Sequence, residues 1–224
     1  MNLDICPERW NKFQEVAEKA GVTGFERYRA IHGDTCQHPA WWRSGNGAWG
    51  CLMSHLRIAQ DALMDGLQNY LVFEDDVVFR TDFAERLPKI MERLEGEEWD
   101  QLYLGGQHLY KETSQPWPYR EGIVRCRNVN RTHAFAVNKR FMLNFSQHIM
   151  HAPDYLESHR KWENSDGSSG EFMNHIDHQL GQLHDRRQHI ILAAHPWLCG
   201  QGENSSNVSG QLTEEQWWDD NGWY

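Results

Sequence analysis

Tyr70-Leu71-Val72-Phe73-Glu74-Asp75-Asp76-Val77-Val78 joins a short apolar run to three consecutive carboxylates. The run shows no polar alternation, the pattern of a strand buried on both faces, as strands of a parallel sheet are. In open α/β sheets ligands gather at the carboxyl ends of strands, and Glu74, Asp75 and Asp76 fall at such an end. Adjacent carboxylates repel one another and call for a counter-charge. Hard oxygen ligands without a clear Cys or His partner suit Mg²⁺ or Mn²⁺ better than Zn²⁺. Read alone, the triplet is equally consistent with a solvated acidic turn.

The elements on either side extend the pattern. Pro7 suits a first helical turn, Trp10, Phe13, Ala17 and Ala20 share a face, and Gly21 supplies the stop. Residues 25–31 read as a strand and 33–48 as a structured loop. A second helix starts near Trp49, with Leu52, Leu56, Ala59 and Leu63 on one stripe and Gly66 at its end. Asp82 caps a third helix through Leu94, which Pro88 should break or kink. Strands are expected at 100–104 (closed by Gly105-Gly106), 123–127, 134–137 and 189–194. Helices are expected at 138–149 and 175–184. Residues 157–171 carry almost no aliphatic side chains and read as a mobile loop, and 200–224 as a polar, Trp-containing tail. No internal repeat is present. Alternating strands and helices predict one α/β domain over 1–224, with a mostly parallel central sheet flanked by helices.

Composition excludes several classes. The 224 residues include 11 Trp, 9 Phe and 7 Tyr, enough to build a core and too many for a disordered chain. The longest apolar stretches, 70–73 and 190–194, fall far short of the roughly 20 residues of a membrane-spanning helix. Against 22 basic residues stand 32 acidic ones, a net charge of −10, and no basic cluster exceeds Arg186-Arg187. A general nucleic-acid binder needs a basic face, so that class is excluded. An acidic protein that binds a phosphorylated small molecule tends to need a divalent cation between the two anions. Five cysteines, odd in number and without a C-x-x-C pair, form neither a disulfide framework nor a zinc knuckle. With no basic-then-apolar start, a reducing cytoplasm is the expected compartment. His148/His151 and His175/His178 have the three-residue spacing of helical metal ligands but lack a matched third ligand. Trp41, Trp42 and Trp49 suit either sugar stacking or core packing.

The helix and strand together resemble a known family. Gly50-Cys51-Leu52-Met53-Ser54-His55-Leu56-Arg57, a spacer ending at Gly66, and then YLVFEDDVV are similar to glycosyltransferase family 25, the lipopolysaccharide-type enzymes with collagen galactosyltransferases as relatives. Asn2-Leu3-Asp4 with Arg9 resembles the family's opening segment. Thr132–Val137, Ile176-Asp177-His178 and Pro196…Gln201…Ser205 resemble its later ones. The departure is at the start, where only Met1 precedes Asn2-Leu3-Asp4 in place of an apolar strand.

The resemblance implies a GT-A-type nucleotide-sugar-binding fold and inverting transfer from a UDP-sugar, galactose favoured, to a glycan acceptor such as lipopolysaccharide or capsule. It also implies Mn²⁺ (or Mg²⁺), with Asp76 as the first ligand and His195 as a late one. Asn2, Asp4, Arg9, Ser54, Arg57, Glu74 and Asp75 become donor contacts. Ser54 and Arg57 share a helix face, whereas His55 points about 100° away from Ser54. Inversion needs a base on the acceptor side, and Asp177 is the candidate; a capping or donor-contact role is its alternative. Two other classes compete: a metal-dependent hydrolase built on the carboxylates and histidines, and a non-catalytic carbohydrate-binding protein.

Overall fold

The computed structural model describes residues 1–40, 42, 44–109, 115–151, 161–163, 169–171, 175–205 and 212–217. Helix α1 (Pro7–Lys19) starts at its proline and buries Phe13 and Ala17. Helix α2 (Asn46–Met64) begins three residues ahead of Trp49, because Gly45 at φ +84° turns the chain into it, a conformation open to glycine. Strands β1 (Asn69–Phe73) and β2 (Val77–Phe79) follow, separated by the three carboxylates. Helix α3 (Phe83–Arg93) is continuous through Pro88, since buried Phe83 and Ile90 anchor it on either side of the one hydrogen bond that a proline removes.

The central sheet is completed by β3 (Gln101–His108), β4 (Trp117–Arg120), β5 (Ile123–Cys126), β6 (Val129–Asn138) and, after helices α4 (Lys139–His151) and α5 (Ile176–Asp185), β9 (Ile191–Ala194). Strands β7 (Lys161–Glu163) and β8 (Ser169–Glu171) pair as a separate ribbon. Part of the segment expected to be a loop is therefore strand, and the rest of 157–171 lies outside the described residues.

The alternation of helix and strand stands, but the expected parallel sheet does not. Strand order is β1-β6-β3-β9-β5-β4, and only β3 and β9 run parallel. The misleading feature was the unbroken Tyr-Leu-Val-Phe run. It belongs to an edge strand, paired on one side by antiparallel β6, with Leu71 41% exposed and only Val72 and Phe73 buried. Residues 25–31 are extended but carry a single bridge, Asn2 to Arg29. Strand β3 does not close at Gly105-Gly106 but runs through them. A Cβ on Gly105 would lie 2.3 Å from His133 Nε2 and 2.4 Å from the Cys199 carbonyl, so glycine lets three segments meet there.

Side chains alternate across the sheet, as period-two geometry requires. Tyr103, Ile191 and Ala193 pack with Leu52 and Leu56 of α2, Phe141 and Phe145 of α4, and Leu180 of α5. Leu102, Leu104, Leu192 and Ala194 face Phe13 of α1 and Phe83 and Ile90 of α3. Helices thus cover both faces. The described part of the polar tail is folded: β10 (Cys199–Gln201) pairs with β2, and β11 (Asn204–Ser205) pairs with β12 (Leu212–Thr213). Trp217 lies so close over Gly200 that a Cβ there would meet its ring at 2.7 Å. Among the described residues no helix is long and apolar enough to cross a membrane.

Candidate active site

The turn between β1 and β2 places Glu74, Asp75 and Asp76 on the wall of a cavity of about 200 Å³, together with Asn2, Arg9, His32, Gly33, Cys51, Ser54 and Gln201. A second cleft of about 330 Å³, lined by Glu8, Lys12, Gly202 and Glu203, shares Arg9, Asp75 and Asp76 with the first. The two acidic side chains and Arg9 therefore stand between two open spaces. The floor depends on glycine. A Cβ on Gly33 would sit 1.7 Å from the Asn46 carbonyl oxygen, and one on Gly50 2.6 Å from that of Ile31.

Each carboxylate has a different environment. Glu74 Oε1 accepts hydrogen bonds from His55 Nε2 (3.1 Å) and Thr132 Oγ1 (2.7 Å). Burial works to raise its carboxyl, but these bonds and the neighbouring His55 and His133 hold it well below the ordinary range. Asp75 takes Asn2 Nδ2 (2.6 Å) on one oxygen and the Arg9 guanidinium on the other; burial still pushes it up. Asp76 lies 3.6 Å from Arg9 and accepts from Gln201 Nε2 (2.9 Å) on Oδ2. Its Oδ1 is buried and receives no hydrogen bond. Burial and the adjacent Glu74 charge push Asp76 up to about 6. Arg9 is the counter-charge that the triplet required.

The predicted donor and metal residues separate into two groups. Asn2, Arg9, Glu74, Asp75 and Asp76 come together. Asn2 is a positioning residue: its Nδ2 also donates to the Cys6 carbonyl (3.0 Å), and its Oδ1 accepts from Arg27 (2.9 Å to Nε). Ser54 is on the cavity wall but fully buried; its hydroxyl donates to the Gly50 carbonyl (2.6 Å) and accepts from Ile31 N (2.8 Å). Arg57 stacks on Tyr28, donates to its hydroxyl (3.0 Å) and to the Arg29 carbonyl, and does not line the cavity. Asp4 pairs with Arg27 and Arg29, also away from the cavity.

His195 is likewise not on the cavity wall. Its carbonyl accepts from Arg86 Nη2 (3.1 Å), and burial with the Arg86 charge lowers its ring pKa. Asp177 lies in the first turn of α5, half-buried, with Oδ1 accepting from His178 N (2.9 Å). It is not on the cavity wall, although burial, Glu74 and then its own charge raise the Cys51 thiol that is.

Four residues of the site went unassigned in the sequence: Cys51, His55, Thr132 and Gln201. Cys51 and His55 are four apart on a helix, a spacing that puts both on one face; Thr132 and Gln201 belonged to the weak late matches. Of the histidines considered for zinc, His175 and His178 stack with centroids 5.7 Å apart, but among the described residues no third metal-ligating side chain joins them. His148 Nε2 donates to Gln179 (3.0 Å) and its Nδ1 accepts from Arg186 (3.1 Å). The side chain of His151 lies outside the described residues. Of the tryptophans, Trp42 is core, donating to the Gly45 carbonyl (2.8 Å) with its ring edge-on to Trp49; Trp41 lies outside the described residues.

Helices on both faces of a sheet, with a carboxylate cluster at a strand end and a cavity beside it, define an α/β protein with a polar ligand site. The profile of Glycosyltransferase family 25 (LPS biosynthesis protein) matches residues 1–159, and the chain belongs to this family. It is 43% identical over 80 residues to a human protein named "Inactive glycosyltransferase 25 family member 3", a match covering 35% of this chain and 13% of that one. It is 35% identical over 68 residues to procollagen galactosyltransferase 1 of Danio rerio, covering 30% and 11%. A putative glycosyltransferase of Acanthamoeba polyphaga mimivirus is 28% identical over 106 residues, covering 42% and 33%. The chain thus aligns with only a small share of the length of the curated relatives it matches.

Proposed function

We propose that this chain, acting as a single domain, transfers a sugar from a UDP-sugar, galactose in first place, to a glycan acceptor such as lipopolysaccharide or capsule, with inversion. The observation that supports it best is Asp76 Oδ1, a buried oxygen without a hydrogen bond on a wall between two cavities. Such an oxygen fits a hard divalent cation, Mn²⁺ or Mg²⁺, and Asp76 is the residue that would hold it. The bound ion would neutralise charge that develops on the nucleoside diphosphate as it leaves.

The chain's own residues do the rest. Gln201 fixes Asp76 and Asn2 fixes Asp75, so neither carboxylate has to reorganise as the ligand enters. Arg9 offers a guanidinium to the phosphates, and Lys12 lines the neighbouring cleft. Asp177, one oxygen held by His178 N, would take the proton of the acceptor hydroxyl on the other. The cysteine pattern makes the cytoplasm the proposed compartment. Turnover of UDP-galactose with Mn²⁺, for the wild type and Asp76→Ala, tests the reading. It predicts a loss of at least about 100-fold, more than removing an outer-shell partner produces. Metal-independent turnover, or an unimpaired variant, would contradict it.

A second reading, a carbohydrate-binding protein without turnover, is favoured by Arg9. Its pairing with both Asp75 and Asp76 already supplies the charge that a metal would bring. That reading predicts glycan binding unchanged by EDTA and no affinity for UDP.

A further inference from the structure

Cys51 and His55 lie one turn apart on α2 and both approach Glu74 at the end of β1. A sulfur, a ring nitrogen and a carboxylate oxygen from these residues all lie within 4.8 Å of one another, the only such group of three among the described residues. We infer that Cys51, His55 and Glu74 form a binding site for a soft divalent cation, zinc above all, distinct in chemistry from the hard-cation position at Asp76. The inference goes beyond glycosyl transfer and holds whether or not the cavity takes a nucleotide sugar.

Geometry and ligand type both support it. Around a tetrahedral zinc, ligands at about 2.0–2.3 Å stand roughly 3.3–3.7 Å apart, so the observed spread closes with side-chain rotations of about an ångström. A thiolate and an imidazole select zinc over manganese or magnesium, which prefer all-oxygen sites. The ligands are already held in place. The His55 ring stacks on Phe135 with centroids 5.5 Å apart and planes at 23°, and its Nε2 faces Glu74. Thr132 donates to Glu74 and would remain as an outer-shell partner. Cys51 and Glu74 both line the cavity, which leaves the fourth position open to water.

Binding displaces the proton of the Cys51 thiol. The resulting thiolate and the Glu74 carboxylate cancel the two charges of the ion. His55 would bind through Nε2, leaving a ring proton on Nδ1, a buried atom with no hydrogen-bond partner of its own. A complex of zero net charge suits a half-buried wall. Zinc held there would also narrow the cavity and so compete with any ligand that enters it.

Cobalt titrated into the intact chain is the direct probe, since a thiolate–cobalt bond gives a charge-transfer absorption in the near ultraviolet. The expected result is a band that saturates near one equivalent, is abolished by zinc and is unaffected by Mn²⁺. Cys51→Ser should remove the band and weaken zinc binding by more than about 10-fold. Cys36→Ser, at another half-buried cysteine, should change neither. Because His55 is buried, the thiol-to-hydroxyl change carries the test, and an unaltered melting curve for Cys51→Ser shows that the fold is retained. No band in the wild type, or a band that survives in Cys51→Ser, would overturn the assignment.

Discussion

Replacing Asp76 by Asn should make this protein more stable at neutral pH while abolishing its response to divalent cations. Asp76 is buried against Glu74, which pushes its carboxyl from the ordinary 3.8 to about 6. Ionising it at pH 7 therefore costs the fold about 3 kcal/mol, at about 1.4 kcal/mol per tenfold change in the proton equilibrium. The sign follows from a raised carboxyl. The cost is absent below about pH 4, where the group is protonated folded or unfolded, grows between about 4 and 6, and is complete above that. Asn keeps an oxygen for Gln201 and carries no charge. For a domain of this size 1 kcal/mol moves the melting temperature by roughly 2–4 °C. Asp76→Asn should thus melt about 6–12 °C higher than wild type at pH 7.5 and at nearly the same temperature at pH 4. Added Mn²⁺ should raise the wild type alone and narrow the gap. Thermal melts across this pH range decide the matter. A variant less stable at pH 7.5, or a gap independent of pH, would show that Asp76 is not a buried charge that costs the fold stability.

Asp100 carries the opposite sign. It is fully buried, bonded through both oxygens to Arg140 (2.6 Å each) and through Oδ2 to Ile190 N (2.8 Å); although burial alone would raise it, His189, Arg140 and Ile190 hold it well below the ordinary range. Because Arg140 is half-exposed and keeps its hydration, Asp100→Asn should cost about 2 kcal/mol at pH 7, the loss of charge-assisted hydrogen bonds. The gap should shrink only as pH falls below about 4, where the unfolded carboxyl takes up a proton while the native one keeps its charge; urea denaturation at pH 7 and pH 3 checks both statements. Gly33→Ala forces a methyl to within 1.7 Å of the Asn46 carbonyl oxygen, so it should destabilise by about 3 kcal/mol and displace the start of α2. Wild-type stability for that variant in urea would show that the close approach is not needed.

How much of this was legible in the sequence depended on whether the signal was local. The stripe of Leu52, Leu56 and Ala59 gave α2, and the apolar run before three carboxylates placed the site at a strand end. Sheet direction was not legible, because an apolar four-residue run reads alike in a central parallel strand and in the half-exposed edge strand that β1 is. Within the site, Asp75 and Asp76 were evident, yet their partners Arg9 and Gln201 stand 66 and 125 residues away. Arg9 was reached through the family resemblance rather than through any spacing. Ser54 and Arg57 were plausible as ligand contacts from their helix face alone. Ile31, Tyr28 and Arg29, which take up their polar atoms, come from a segment whose position only the tertiary fold fixes. His55 was set aside on helical geometry because it points away from Ser54. That same geometry turns it toward the sheet and Glu74.

In the proposed function, the wall between the two cavities binds a nucleotide sugar through a hard cation at Asp76. The most direct measurement is the melting temperature of the wild type with UDP-galactose, in Mn²⁺ and in EDTA. At a donor concentration of about 100 Kd the linkage amounts to about 2.7 kcal/mol, or roughly 5–11 °C for a domain of this size. A rise of that order is expected with Mn²⁺, none with EDTA and none in Asp76→Asn. An equal rise in EDTA, or no rise in either condition, would contradict the proposed function.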